Sequence, residues 1–72
     1  MDIIDHYGDK RLAVEIKKFL DNFWLVRQAT LYRTERLDRF NIIIDLNIDD
    51  DYIFIRDCSR YRWKETIQEK LN

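Results

Sequence analysis

Arg39-Phe40-Asn41-Ile42-Ile43-Ile44-Asp45-Leu46-Asn47-Ile48, then Asp49-Asp50, then Asp51-Tyr52-Ile53-Phe54-Ile55-Arg56-Asp57-Cys58 is the stretch that decides the fold. Apolar side chains alternate through its first half, with Phe40, Ile42, Ile44, Leu46 and Ile48 on one face of an extended chain. In its second half Ile53 and Ile55 take one face, and Tyr52, Phe54 and Arg56 take the other. Asp49-Asp50 supplies the turn. Pairing around that turn sets Leu46 opposite Ile53 and Ile44 opposite Ile55, so the apolar faces of the two strands agree. A hairpin of strands 39–48 and 51–58 follows.

Upstream, residues 23–33 are rich in aromatic and β-branched types and predict another strand, joined to the hairpin by a turn at 34–38. Its facing stays open, because both faces are partly apolar. Either Leu25, Arg27, Ala29 and Leu31 or Trp24, Val26, Gln28 and Tyr32 point away from the core. Further upstream, Leu12, Ile16, Phe19, Leu20 and Phe23 recur at helical spacing, which predicts a helix over 9–22. Asp9 stands ready to cap it. Residues 2–7 are read as a short turn whose Ile3, Ile4 and Tyr7 pack on the same core. Residues 59–71 close the chain as a helix with Ser59 as cap and Trp63, Ile67, Lys70 and Leu71 in one stripe. The expected fold class is therefore α+β: one domain over 1–72, α-β-β-β-α, with helices on a three-stranded antiparallel meander. With no glycine or proline between residues 10 and 37, a long helix or helical hairpin over that stretch is the competing reading.

Composition excludes several functions. The chain has 72 residues, 46% hydrophobic and 38% charged, with one glycine and no proline. A single glycine cannot build a phosphate-cradling loop or a dinucleotide fingerprint, and no cofactor is expected. One histidine (His6) and one cysteine (Cys58) fall short of a structural zinc site. Asp45-x-Asn47-x-Asp49-x-Asp51 has the first spacings of a calcium loop, but Asp50 stands where glycine is needed and Arg56 where glutamate is needed. No metal is expected. Asp5, His6 and Ser59 are the residue types of a hydrolase triad, yet nothing in the sequence brings them together. The chain is read as not an enzyme. No apolar run approaches a membrane span, the start lacks the pattern of a secretion signal, and a lone cysteine fits the reducing cytoplasm.

Thirteen basic and fourteen acidic residues give a net charge of −1, but they are unevenly spread. In a meander, Arg33, Arg36, Arg39, Arg60, Arg62 and Lys64 gather at one end of the sheet, beside Tyr32, Tyr61 and Trp63. Asp45, Asp49, Asp50 and Asp51 gather at the other. If both helices cover one face, the opposite face carries Ile43, Tyr52, Phe54 and Arg56, with Asp45 among them. An exposed apolar patch of this kind marks a protein partner or self-association.

Two functions follow. The first is a small protein-interaction module: a homodimer, or an inhibitor or adaptor of a microbial or phage accessory type, binding through Ile43, Tyr52, Phe54 and Arg56. The second is nucleic-acid binding. The α-β-β-β-α order is similar to that of the double-stranded-RNA-binding domain, whose first β-turn and last-helix start lie at one end. Here those places hold Arg33, Arg36 and Arg39, and Ser59-Arg60-Tyr61-Arg62-Trp63-Lys64. The resemblance is one of topology and charge. No Gly-Pro or histidine stands in the first turn, and the last helix has neither a Lys-Lys pair nor an alanine-rich face.

Overall fold

The hairpin forms as the alternation requires. In a computed structural model that describes residues 1–34, 40–49 and 51–71, its strands run Asn41–Ile48 and Asp51–Ser59 and pair antiparallel. Leu46 faces Ile53 and Ile44 faces Ile55, the register expected from the apolar faces. The upstream strand, Val26–Arg33, pairs antiparallel with Asn41–Ile48.

The three-stranded meander is incomplete, however. Residues Asp2–Asp5 are not a turn but a fourth strand, parallel to Val26–Arg33, with Ile3 opposite Ala29 and Ile4 opposite Thr30. The elements in chain order are thus β1 (Asp2–Asp5), α1 (Lys10–Leu20), β2 (Val26–Arg33), β3 (Asn41–Ile48), β4 (Asp51–Ser59) and α2 (Trp63–Leu71). They form a mixed sheet of spatial order β1-β2-β3-β4. The fold class is α+β, with α1 serving as the crossover between the parallel neighbours β1 and β2. The strand at Val26–Arg33 also rules out a long helix over 10–37.

Local chemistry sets the ends of these elements. The Asp5 carboxylate accepts from the backbone N–H groups of Tyr7 (2.9 Å) and Gly8 (2.8 Å), which turns the chain out of β1. Gly8 takes φ +88°, a conformation that suits a residue without Cβ. Asp9 caps α1 by accepting from the Leu12 N–H at 3.1 Å. Ser59 does not cap α2 directly. Its hydroxyl accepts from the Tyr61 N–H in the turn that precedes the helix, and α2 begins four residues later at Trp63.

Both helices lie on the same side of the sheet. The Phe19 ring of α1 meets the Trp63 ring of α2 edge-on at 5.3 Å. Leu12, Ala13, Ile16 and Leu20 of α1 and Trp63 and Ile67 of α2 share one core with Ala29, Leu31, Ile42, Ile44, Leu46, Ile55 and Cys58 of the sheet. Ile16, Leu20, Leu31, Ile42, Ile44, Leu46 and Ile67 have no significant contact with water. Burying a side chain of this size stabilises by about 1.5–3 kcal/mol, so these seven dominate the core.

Two irregularities decide which residues enter that core. The β2–β3 register shifts between Val26 and Gln28, so Val26 and Ala29 both point inward although three residues apart. Neither of the simple alternations considered for this strand holds along its whole length: Gln28 and Tyr32 face outward, while Trp24 and Leu25 precede the strand and are exposed. In β4 the register shifts opposite Ile43, and Asp57 takes φ +53°. That extra residue carries Cys58 into the core, where strict alternation from Ile55 would have aimed Asp57. Phe40 corrects a third expectation. It lies before β3, half exposed, with its ring 6.3 Å from Tyr61, and takes no part in the inner face.

Candidate functional site

Because α1 and α2 share one side, the sheet's other side carries no helix among the described residues. The register lays out this outer face in three rows. Asp2, Gln28, Asn47 and Tyr52 form the first, and Ile4, Thr30, Asp45 and Phe54 the second. The third holds Tyr32 and Ile43, with Arg56 at the β4 irregularity and His6 just beyond β1. All four residues assigned to partner binding, Ile43, Tyr52, Phe54 and Arg56, thus belong to one surface. Tyr52 and Phe54 are 66% and 51% exposed, and Ile4 also meets solvent. Ile43 is half-buried between its neighbours.

Rings and cations are paired across this face. The Arg56 guanidinium stands 5.7 Å from the centre of the Phe54 ring, and His6 stacks on Tyr32 with ring centres 5.4 Å apart. Such contacts hold flat, amphipathic side chains in fixed orientations, which lowers the entropy lost when a partner covers them. Ile4, His6, Thr30 and Asn47 were missed by reading the sequence. Ile4 and His6 join the face only because β1 is a strand.

Asp45 lies in the middle of the face and not at an acidic pole. Burial among Thr30, Phe54 and Ile43 pushes its carboxyl above the usual range. One carboxylate oxygen of Asp45 and the side-chain oxygen of Asn47 are shut off from water and have no hydrogen-bond partner among the described residues. Asp49 sits at the β3–β4 turn, where Arg27 binds it at 2.6 Å. Asp50 lies outside the described residues.

The basic end exists, but much of it is occupied. Arg33 and Arg60 both approach Tyr7, with guanidinium carbons 5.5 and 5.8 Å from its ring centre. Arg33 donates to the Tyr7 carbonyl at 3.2 Å. Arg60 donates to the Tyr7 hydroxyl at 3.3 Å and to the Asp9 carboxylate at 2.7 Å. The Leu12 N–H, and after it Arg60, hold the Asp9 carboxyl below its ordinary value. Arg62 lies against Glu65 at 3.4 Å, and Lys64 rests over the Trp63 ring at 5.6 Å. Arg36 and Arg39 lie outside the described residues. Tyr7 is the residue the charge pattern did not reveal: it ties the end of β2 to the end of β4.

At the opposite end, Phe23, Trp24, Leu25, Ile48, Ile53 and Leu71 line an open apolar depression of about 440 Å³. Trp24 is 87% exposed at its mouth. The residue types that suggested catalysis are not assembled. His6 lies on the outer face, the Asp5 carboxylate is held by two backbone N–H groups, and the Ser59 hydroxyl accepts from the Tyr61 N–H at the far end of the sheet's β4 edge, while Cys58 lies in the core on the other side of the sheet. Burial pushes the Cys58 thiol up to about 11. Among the described residues, no group of three or more His, Cys, Asp or Glu side chains could hold a metal ion, and no helix is long and apolar enough to cross a membrane. No protein-family model matches the chain, and comparisons with curated proteins and with solved structures find no match.

Proposed function

We propose that this chain is a small non-enzymatic protein-interaction module, a homodimer or an inhibitor or adaptor, that binds through the outer face of its sheet in a reducing cytoplasm. The observation that carries this reading is the placement of both helices on one side of the sheet. The other side is left with Ile4, Tyr52 and Phe54 exposed and with stacked pairs at Arg56–Phe54 and His6–Tyr32. Exposed apolar and aromatic side chains with an arginine among them are enriched at protein interfaces.

Phe54→Glu tests the reading. The variant keeps its circular dichroism and melting temperature, since Phe54 is on the outer face, but loses self-association and the binding of an apolar dye. If Phe54→Glu unfolds the chain, the faces are misassigned. A natural chain that neither associates nor binds the dye removes the basis for the reading. Nucleic-acid binding at the basic end draws less support, because Arg33 and Arg60 are committed to Tyr7 and Asp9.

A further inference from the structure

The two edges of the sheet differ. β1 is four residues long and ends where the Asp5 carboxylate turns the chain. β4 is nine residues long and is hydrogen-bonded to β3 alone. Ile48 pairs with Asp51 across the two-residue turn, so Asp51, Ile53 and Ile55 exchange main-chain hydrogen bonds with β3. Tyr52 and Phe54 alternate with them, and their N–H and C=O groups therefore point away from the sheet. Among the described residues nothing bonds to these four groups.

Sheets commonly blunt a long edge with lysine, proline, a bulge or an inward-pointing charge. The run Tyr52-Ile53-Phe54-Ile55 has none of these, and the irregularity at Asp57 comes after it. Tyr52 and Phe54 are exposed and Ile53 is half-buried, so the run meets solvent. Farther along, an open crevice of about 350 Å³ lies between β4 and α2, with Arg56, Ser59, Arg62 and Glu69 among its lining residues. The helix leaves that end of the strand open as well.

We propose that β4 receives an extended segment of a partner protein as a fifth, antiparallel strand, bonded through its main chain to Tyr52 and Phe54. Donors and acceptors that recur every second residue, roughly 7 Å apart, match the repeat of another extended chain. Antiparallel pairing is slightly more stable per residue than parallel. Charge narrows the segment further. Asp51 and Arg56 bracket the run, both exposed and neither in an ion pair among the described residues. A segment that begins with an acid opposite Arg56 and ends with a base opposite Asp51 complements both. Between these charges, β-branched residues stand beside Phe54, Ile53 and Tyr52. The edge uses the main chain of residues whose side chains belong to the outer face, so this site stands or falls independently of the reading given above.

The probe is the capped peptide acetyl-Glu-Thr-Val-Val-Thr-Lys-amide, titrated to millimolar concentration into the full natural chain while amide hydrogen exchange is followed by NMR. In the protein alone, the Tyr52 and Phe54 amides exchange freely and those of Ile53 and Ile55 slowly. With about nine-tenths of the protein bound, exchange at Tyr52 and Phe54 slows roughly tenfold. N-methylation of the third and fifth peptide residues, whose N–H groups face Phe54 and Tyr52, abolishes binding. N-methylation of the second and fourth, whose N–H groups point away, leaves it intact. Exchanging the two end charges of the peptide weakens binding by about threefold or more. No protection of Tyr52 and Phe54 at millimolar peptide, or equal binding of the two N-methylated forms, overturns the fifth strand. Tighter binding of the charge-exchanged peptide overturns the antiparallel direction. Protection of the same two amides that grows with protein concentration alone gives the edge to a second copy and overturns the partner segment.

Discussion

Removing the Asp9 carboxylate tests whether the basic end is a structural joint or a free binding surface. In Asp9→Ala the Leu12 N–H at the start of α1 loses its cap, a loss worth about 1 kcal/mol. The same change breaks the 2.7 Å contact with Arg60, whose side chain, like that of Asp9, is about a quarter exposed. For a half-sheltered pair of this geometry about 0.5–1 kcal/mol is appropriate. The sum, about 1.5–2 kcal/mol, lowers the melting temperature of a domain this small by about 6–16 °C. Arg60→Ala removes the ion pair, the bond to the Tyr7 hydroxyl and the contacts with the Tyr7 and Tyr61 rings, and destabilises by about 1–2 kcal/mol. A double-mutant cycle then gives a coupling of about 0.5–1 kcal/mol. The effect has a defined pH sign. The folded-state pKa of Asp9 is depressed, so its contribution is present above the unfolded value near 3.8 and is lost as pH falls through the folded value. Urea unfolding followed by circular dichroism at pH 7 and at pH 2 measures both. Variants as stable as the natural chain at pH 7, or a zero coupling, would refute the joint. So would a coupling of equal size at pH 2.

Other expectations follow from single residues. Asp57 holds φ +53° at the β4 irregularity, so Asp57→Gly leaves stability unchanged or raises it. Asp57→Val, β-branched in the left-handed region, costs about 1–3 kcal/mol in denaturant titration, and equal stability of the two would refute the assigned conformation. With the Cys58 thiol pushed up to about 11 and 6% exposed, only about one molecule in a thousand carries the thiolate at pH 8. A disulfide reagent therefore reacts with it only on the unfolding timescale, and rapid labelling of the native protein would show that the site is open. For nucleic acid, charge reversal is best made at Arg62 and Lys64, because Arg60 supports the fold. Duplex RNA and DNA titrations stay at background in both the natural chain and Arg62→Glu/Lys64→Glu. Micromolar binding that falls steeply with salt and vanishes in the double reversal would establish the alternative function.

The sequence by itself determined what short-range periodicity can encode. The β3–β4 hairpin and its register follow from alternating apolar residues around Asp49-Asp50, and the α1 stripe and its Asp9 cap follow from helical spacing over one contiguous segment. The co-location of Ile43, Tyr52, Phe54 and Arg56 came with that hairpin, since two-residue alternation puts them on one face. The tertiary structure alone decided what depends on distant partners. β1 is four residues long and carries no sustained alternation; it becomes a strand because Ile3 and Ile4 meet Ala29 and Thr30, some 26 positions later. The shifts at Val26/Gln28 and opposite Ile43 break the two-residue period, so alternation could not say that Cys58 turns inward and Tyr32 outward. The side on which the helices pack, and with it the open face, depends on the meeting of Phe19 with Trp63 across 44 residues. Likewise a charge count treats Arg60 as a free cation. Only the fold brings it within 2.7 Å of Asp9 and against Tyr7, because an ion pair forms through space and leaves no spacing in the chain to read.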